Sequence, residues 1–185
     1  MRRRGRASLS YRRNGLASRA LLCYRCACMF SSPLLHLFVI REPLEASDSC
    51  AAIRLLAQEC LRRCSGVGLP ADLAALARER EEEIGTYLGH GTALPHARVP
   101  GLAGPLLCVA RSSAGIPWPE QRAHLIFFLA VPEHQPELYL QFVSRLLRWR
   151  TKAPASLLEG PPEALHTALA QVLLPESGVK SASAS

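Results

Sequence analysis

Arg80-Glu-Glu-Glu-Ile-Gly-Thr86-Tyr87-Leu88-Gly89-His-Gly91-Thr-Ala93-Leu94-Pro95-His96 carries a charged helical run into a glycine-rich connector and ends on a histidine behind a proline. Thr92-Ala93-Leu94 is strand-like and is stopped by Pro95. The glycines do not make a dinucleotide loop: Gly89-His-Gly91 lacks a third glycine, and Pro95 blocks the helix that should follow. No Walker lysine follows, no GxSxG is present, and none of the seven cysteines lies in a catalytic signature. What remains is His96, with Pro95 fixing its backbone and small residues around it leaving access to the ring. A neutral imidazole near pH 7 attacks phosphorus and leaves again easily. On the residues alone a structural histidine stays open as the alternative.

Outward from this stretch the pattern is one of helices alternating with short apolar runs. Apolar Ala52, Ile53, Leu55, Leu56, Cys60 and Leu61, behind an N-cap at Ser47 or Asp48, predict a helix over about 49–64. The turn Ser65-Gly66-Val67-Gly68-Leu69-Pro70 precedes Asp72 and a second helix from Leu73 to about Glu83. By default the charges at 78–83 form a solvated face. Pro105–Arg111 and His124–Val131 are apolar, bounded by proline and glycine, and short enough for buried strands. Pro136 opens a helix carrying Leu138, Leu140, Phe142, Val143, Leu146 and Leu147, and a last helix spans about Pro162–Leu174. There is no internal repeat. The expected class is α/β: a single domain whose central mixed sheet is flanked by helices on both faces.

The chain has 185 residues, 49% hydrophobic and 20% charged, which suits one soluble globular domain with unstructured ends. Its net charge of +7 is unevenly spread. Residues 1–41 hold nine arginines and no acid, and the remaining 144 residues are net −2, so a basic tail precedes a nearly neutral domain. The charge therefore does not mark the domain as a nucleic-acid binder. Apolar Pro33–Ile40 has features of a targeting segment, but the longest charge-free run there, Cys26–Ile40, is 15 residues where a spanning helix needs about 20. A disordered extension is favoured over an export signal, a membrane anchor or a nucleic-acid-binding arm. Cys23-Tyr-Arg-Cys26 is a CxxC without a second pair at metal-site spacing, and Cys60 and Cys64, one turn apart, are read as packing residues. An odd cysteine count without a clear secretion signal points to reduced thiols in a cytoplasm. The domain expected is 43–175, after a basic extension over 1–42 and before a polar tail over 176–185.

The quoted stretch resembles the signature of the fructose/mannitol-type (type 2) enzyme IIA domain of the bacterial phosphoenolpyruvate:sugar phosphotransferase system: RE, then TxLGxG, then A-(hydrophobic)-PH, at matching spacing over seventeen residues. The order of Leu106–Ala110, His124–Pro132 and Leu140–Leu147 extends the resemblance over about residues 44–175. The resemblance implies that His96 is the phosphorylated histidine and that Arg80 supplies electrostatic stabilisation of its phosphate. It further implies a hydroxyl hydrogen bond from Thr86, close backbone approach at Gly89 and Gly91, and docking or phosphate contact at Arg98. Where many members carry a second histidine, alignment on the apolar residues of the third helix puts Tyr139 within one residue, where its hydroxyl can hydrogen-bond an imidazole or a phosphate; His134 lies just upstream in a loop read as solvent-exposed.

The implied partners are the histidine phosphocarrier protein as donor and a cysteine of an enzyme IIB domain as acceptor, or else a regulated transporter or kinase. Neither nucleic acid nor stable membrane insertion is implied, nor any metal or organic cofactor, and the expected location is cytoplasmic. A phosphorylation-dependent regulatory binding module and a degenerate, non-catalytic domain are the alternatives. The carrier reading requires an imidazole offered to solvent and turned towards Arg80.

Overall fold

A computed structural model describes residues 35–173. The stretch up to residue 34, with its CxxC, and the polar tail over 176–185 lie outside the described residues. The elements in chain order are β1 (His36–Val39), α1 (Ser49–Arg63), α2 (Leu73–Glu83), β2 (Tyr87–Gly89), β3 (Thr92–Ala93), β4 (His96–Val99), β5 (Leu106–Pro117), β6 (Arg122–Pro132), α3 (Pro136–Arg150), α4 (Ala155–Glu159) and α5 (Pro162–Leu173).

The strands form one six-stranded mixed sheet in the order β1-β5-β6-β3-β2, with β4 also on β6, on the stretch beyond β3. Strands β1/β5, β3/β6 and β4/β6 pair in parallel, and β5/β6 and β2/β3 pair antiparallel. Alternation along β6 builds two cores. Ile126, Phe128 and Ala130 face one side, where they pack with Ala52, Ile53, Leu56 and Cys60 of α1 and Leu73 and Ala77 of α2. Leu125, Phe127, Leu129 and Val131 face the other, with Phe142 and Leu146 of α3 and Leu165 and Leu169 of α5. Burial on both faces is why β6 reads as an unbroken apolar run rather than an alternating one.

Local chemistry sets the ends. Asp48 caps α1, its carboxylate accepting from the Ala51 amide at 2.8 Å. Between β2 and β3 the chain reverses through His90 (φ 51) and Gly91 (φ 67), two consecutive left-handed residues whose twist suits a tight hairpin. Gly91 has a further constraint, since a Cβ there would lie 3.2 Å from the His124 ring.

The sequence places the start of the domain at residue 43, yet His36–Val39 pairs in register with Leu106–Val109 as the sheet's outer strand. Leu37 and Val39 pack into the α3/α5 core, and Phe38 packs into the other. His36–Val39, read from sequence as part of a disordered extension, is therefore a sheet strand: a short apolar run with both faces covered carries no alternation to mark it as one. Among the described residues no helix is long and apolar enough to cross a membrane.

Candidate functional site

The strand predicted over 92–94 is interrupted at Leu94-Pro95 and resumes as β4, whose first residue is His96. Within β4, Ala97 and Val99 turn into the α1/α2 core. Alternation then sends His96 and Arg98 to the opposite side, towards α3. Among the described strands β4 pairs only with β6, so its outer edge is open to whatever the ends of α2 and α3 bring there.

Two helix ends converge on it. The first turn of α3 sets the Tyr139 ring over the imidazole, with centroids 4.1 Å apart and planes 27° from parallel. The last turn of α2 brings Arg80, whose positive charge is felt by both the imidazole and the phenol. Nη1 of Arg80 is buried and makes no hydrogen bond, although it forms an ion pair with Glu83 at 3.6 Å. A buried donor left unmade costs about 1–3 kcal/mol, so such a group is a feature to be accounted for. Arg98, two residues beyond His96, is exposed and adds a second cation.

His96 is only 2% exposed, so the imidazole is not freely offered to solvent as the sequence reading requires; Tyr139 stacks on one of its faces. Burial pushes its pKa down to about 4; the Leu94 carbonyl opposes this, and the charges of Arg80 and Arg98 add smaller downward pushes. The ring is therefore neutral at physiological pH. Nδ1 lies 3.3 Å from the Leu94 carbonyl oxygen. A carbonyl can only accept, so in that contact Nδ1 carries the hydrogen and Nε2 keeps the lone pair. Burial raises the pKa of Tyr139, which keeps its hydroxyl protonated.

The structure brings His96, Arg80, Arg98 and Tyr139 together, engages the Thr86 hydroxyl elsewhere, and sets Gly89 and Gly91 in a hairpin further along the strand. The Thr86 hydroxyl donates to Glu81, and its backbone amide donates to the same carboxylate at 3.1 Å. The glycine hairpin sits at the far end of the strand. Thr92 pairs with Leu125 whereas His96 pairs with Leu129, four residues or about 13 Å along β6. At that far end Arg150, in the last turn of α3, donates to the His90 carbonyl at 2.9 Å, whereas Tyr139 is in the first turn of the same helix. Gly89 and Gly91 thus form the β2–β3 turn. His134 is exposed, and its ring contacts the Gln135 side chain.

Sequence reasoning missed Glu81. It is 8% exposed and accepts from the Thr86 amide, the Thr86 hydroxyl and the Trp118 indole N–H, the last at 2.8 Å. This carboxylate ties the end of α2, where Arg80 sits, to β2 and to the loop between β5 and β6. A signal was available: Leu73, Ala77 and Glu81 recur every fourth residue along the buried stripe of α2.

A family model described as "Phosphoenolpyruvate-dependent sugar phosphotransferase system, EIIA 2" matches residues 36–156. The chain is 34% identical over 89 residues to the fructose-specific EIIABC component of the phosphotransferase system of Bacillus subtilis, a match covering 45% of this chain and 14% of that one. It is 37% identical over 73 residues to a fructose-specific EIIA component of Haloferax volcanii, covering 38% of this chain and 47% of the relative. It thus spans less than half the length of either curated relative. Among solved structures, the fold resembles nitrogen regulatory protein IIA-Ntr of Neisseria meningitidis at TM-score 0.59 and 24% identity, covering 71% of this chain and 91% of that one. It also resembles enzyme IIA of the mannitol system of Escherichia coli, at TM-score 0.54 and 17% identity with 73% and 94% covered. A complex of that enzyme IIA with phosphorylated enzyme IIB aligns at TM-score 0.54 and 18% identity, with 76% of this chain and 98% of that chain covered.

Proposed function

The chain belongs to the EIIA 2 family of the phosphoenolpyruvate-dependent sugar phosphotransferase system, and on that premise we propose that it is a phosphocarrier that holds a phosphoryl group on Nε2 of His96. The phosphoryl group comes from the phosphohistidine of the histidine phosphocarrier protein and passes to a cysteine thiolate of an enzyme IIB domain. A IIA–IIB pair is what the mannitol complex of Escherichia coli contains, which supports the acceptor half of this reading.

The Nε2 lone pair forms the new bond to phosphorus while the donor's P–N bond breaks and its electron pair returns to the donor imidazole. Nδ1 keeps its hydrogen on the Leu94 carbonyl throughout, so the phosphorylated ring needs no further proton. The group added carries close to two negative charges. Arg80 offers it an Nη1–H that makes no hydrogen bond, and Arg98 offers a second cation at the rim. The return step forms an S–P bond to the thiolate and gives the electron pair back to Nε2. A neutral imidazole is a modest leaving group, which keeps the intermediate transferable rather than trapped.

The observation that carries this reading is the buried Nη1–H of Arg80, which makes no hydrogen bond and only a 3.6 Å ion pair with Glu83, beside a neutral imidazole whose Nδ1 hydrogen faces the Leu94 carbonyl. The domain responsible takes in β1 and extends through α5, broader than the 43–175 read from sequence at its start.

The test is a reconstituted relay: phosphoenolpyruvate, enzyme I, the histidine phosphocarrier protein and the purified chain. The expected product is one acid-labile phosphate per molecule, absent in His96→Ala. Equal labelling of His96→Ala contradicts the assignment. The concealment of His96 favours one second reading, a regulatory binding module switched by a slowly gained and lost phosphate.

A further inference from the structure

Resting on that reading, we infer that Tyr139 is a positioning residue for the transfer and acts through its ring: stacked on one face of the imidazole, it holds the plane of His96 so that Nδ1 stays on the Leu94 carbonyl and the Nε2 lone pair keeps one direction. The backbone of His96 needs no such help. Its pairing with Leu129, and the hydrogen bond from the Leu129 amide to the Pro95 carbonyl at 3.0 Å, fix it to β6. What the sheet leaves free is the side chain, which turns about two bonds.

One edge contact does not settle those two rotations. The 3.3 Å from Nδ1 to the Leu94 oxygen lies just beyond the usual N–H···O range of about 2.7–3.2 Å, and a bond along one edge still lets the ring tilt about it. The stack supplies the missing constraint: with centroids 4.1 Å apart and planes 27° from parallel, Tyr139 blocks tilt towards its own side. Tyr139 is itself backed by the α3/α5 core, against which it packs together with Leu138 and Val143. Among the described residues its hydroxyl makes no hydrogen bond, so the ring face is what it brings to His96.

The stack suits the chemistry as well as the geometry. The Nε2 lone pair lies in the ring plane and Tyr139 occupies a face, so phosphorus approaches without displacing the phenol. When Nε2 bonds to phosphorus while Nδ1 keeps its hydrogen, the imidazole takes up positive charge, and the electron-rich face of the phenol attracts it. Arg80 and Arg98, the charged groups felt at the imidazole, oppose that ring charge even as they attract the phosphate, and the stack offsets part of their effect. The contact therefore strengthens as the reaction proceeds, which is the condition for it to speed the step.

The experiment reads the ring and the transfer separately, in the full chain. Nitrogen NMR of the His96 imidazole at about pH 8, where a histidine is neutral, gives the ratio of Nδ1–H to Nε2–H forms. The reconstituted relay gives the rate of phosphate uptake per folded molecule. An aromatic contact of this kind is worth roughly two- to tenfold in a population. Tyr139→Leu, which fills the space without a flat face, is expected to lower both the Nδ1–H to Nε2–H ratio and the uptake rate by such a factor. Tyr139→Phe, which keeps the face and lacks the hydroxyl, rescues both. Tyr139→Ala gives an independent reading if the leucine variant does not fold.

A wild-type tautomer ratio or a wild-type rate in both Tyr139→Leu and Tyr139→Ala overturns the inference. So does a Tyr139→Phe as slow as Tyr139→Leu, which moves the role to the hydroxyl. If the ratio falls in Tyr139→Leu and returns in Tyr139→Phe while the wild-type chain takes no phosphate, the positioning of the ring stands and the carrier assignment falls. If the relay labels His96 at the same rate in every variant, the carrier assignment stands and the positioning falls.

Discussion

Arg80 and His96 divide the chemistry between a fixed charge and a reacting nitrogen. Removing the cation in Arg80→Ala is expected to slow phosphorylation of His96 on the order of a hundredfold, the usual loss when one buried donor to a developing anion is deleted. The same substitution raises the His96 pKa, since the arginine charge opposes imidazole protonation. Stopped-flow phosphotransfer and an NMR titration read the two effects separately.

The pH dependence follows from the same nitrogen. His96 is neutral down to about pH 4, so its acceptor activity stays level between pH 8 and 5, provided the donor is kept charged, where an ordinary imidazole would fall away through 6.5. Because the folded pKa lies below the unfolded value, the unfolded chain binds the extra proton. The stabilisation is complete above about pH 6.5 and is lost as pH drops towards 4, by up to about 3 kcal/mol. Urea melts at pH 7 and pH 4.5 measure it against His96→Gln, which lacks this group. At this scale the motif singled out His96 and Arg80 because their spacing is a property of sequence, and the structure sets both beside Tyr139 at the edge of β4. It did not show that the ring is stacked, because the stacking Tyr139 arrives from a helix more than forty residues away. Nor could it reveal that the Thr86 hydroxyl is already engaged by Glu81.

Between residue and molecule, the elements explain what the glycines of the motif do for the backbone. Gly89-His90-Gly91 is the turn that returns β2 alongside β3, and the linear sequence cannot distinguish a glycine required by its backbone from one that cradles an anion. Gly91→Ala forces a side chain into left-handed backbone and against the His124 ring, at a cost of about 1–2 kcal/mol. The expected result is a lower melting temperature, with phosphorylation lost only in proportion to unfolded protein. Glu81→Ala acts at the other joint, leaving the Thr86 amide and the Trp118 indole N–H without their acceptor. Each orphaned buried group costs about 1–3 kcal/mol. This variant should therefore be less stable and should also misplace Arg80, so that phosphotransfer per folded molecule falls with it. The helices α1, α2, α3 and α5 were legible from their periodicity to within a residue or so. Strands β2 and β4 were not, because they are too short for alternation to register.

At the scale of the whole molecule, a two-faced sheet holds the site by its open edge. One core fixes α2 and therefore Arg80, the other fixes α3 and therefore Tyr139, and His96 lies where the two meet around β4. The fold class and helix placement followed from sequence, whereas the domain start did not, since β1 pairs with a strand seventy residues further on. A chain beginning at residue 43 lacks that strand and the buried Val39, and is expected to melt at a lower temperature than one beginning at residue 35. The most direct test of the central claim is phosphorus and nitrogen NMR of the chain after incubation with phosphoenolpyruvate, enzyme I and the histidine phosphocarrier protein. The account predicts a single phosphohistidine, bonded through Nε2 of His96 and lost in His96→Ala. A natively folded chain that acquires no phosphate, or carries it on any other residue, contradicts it.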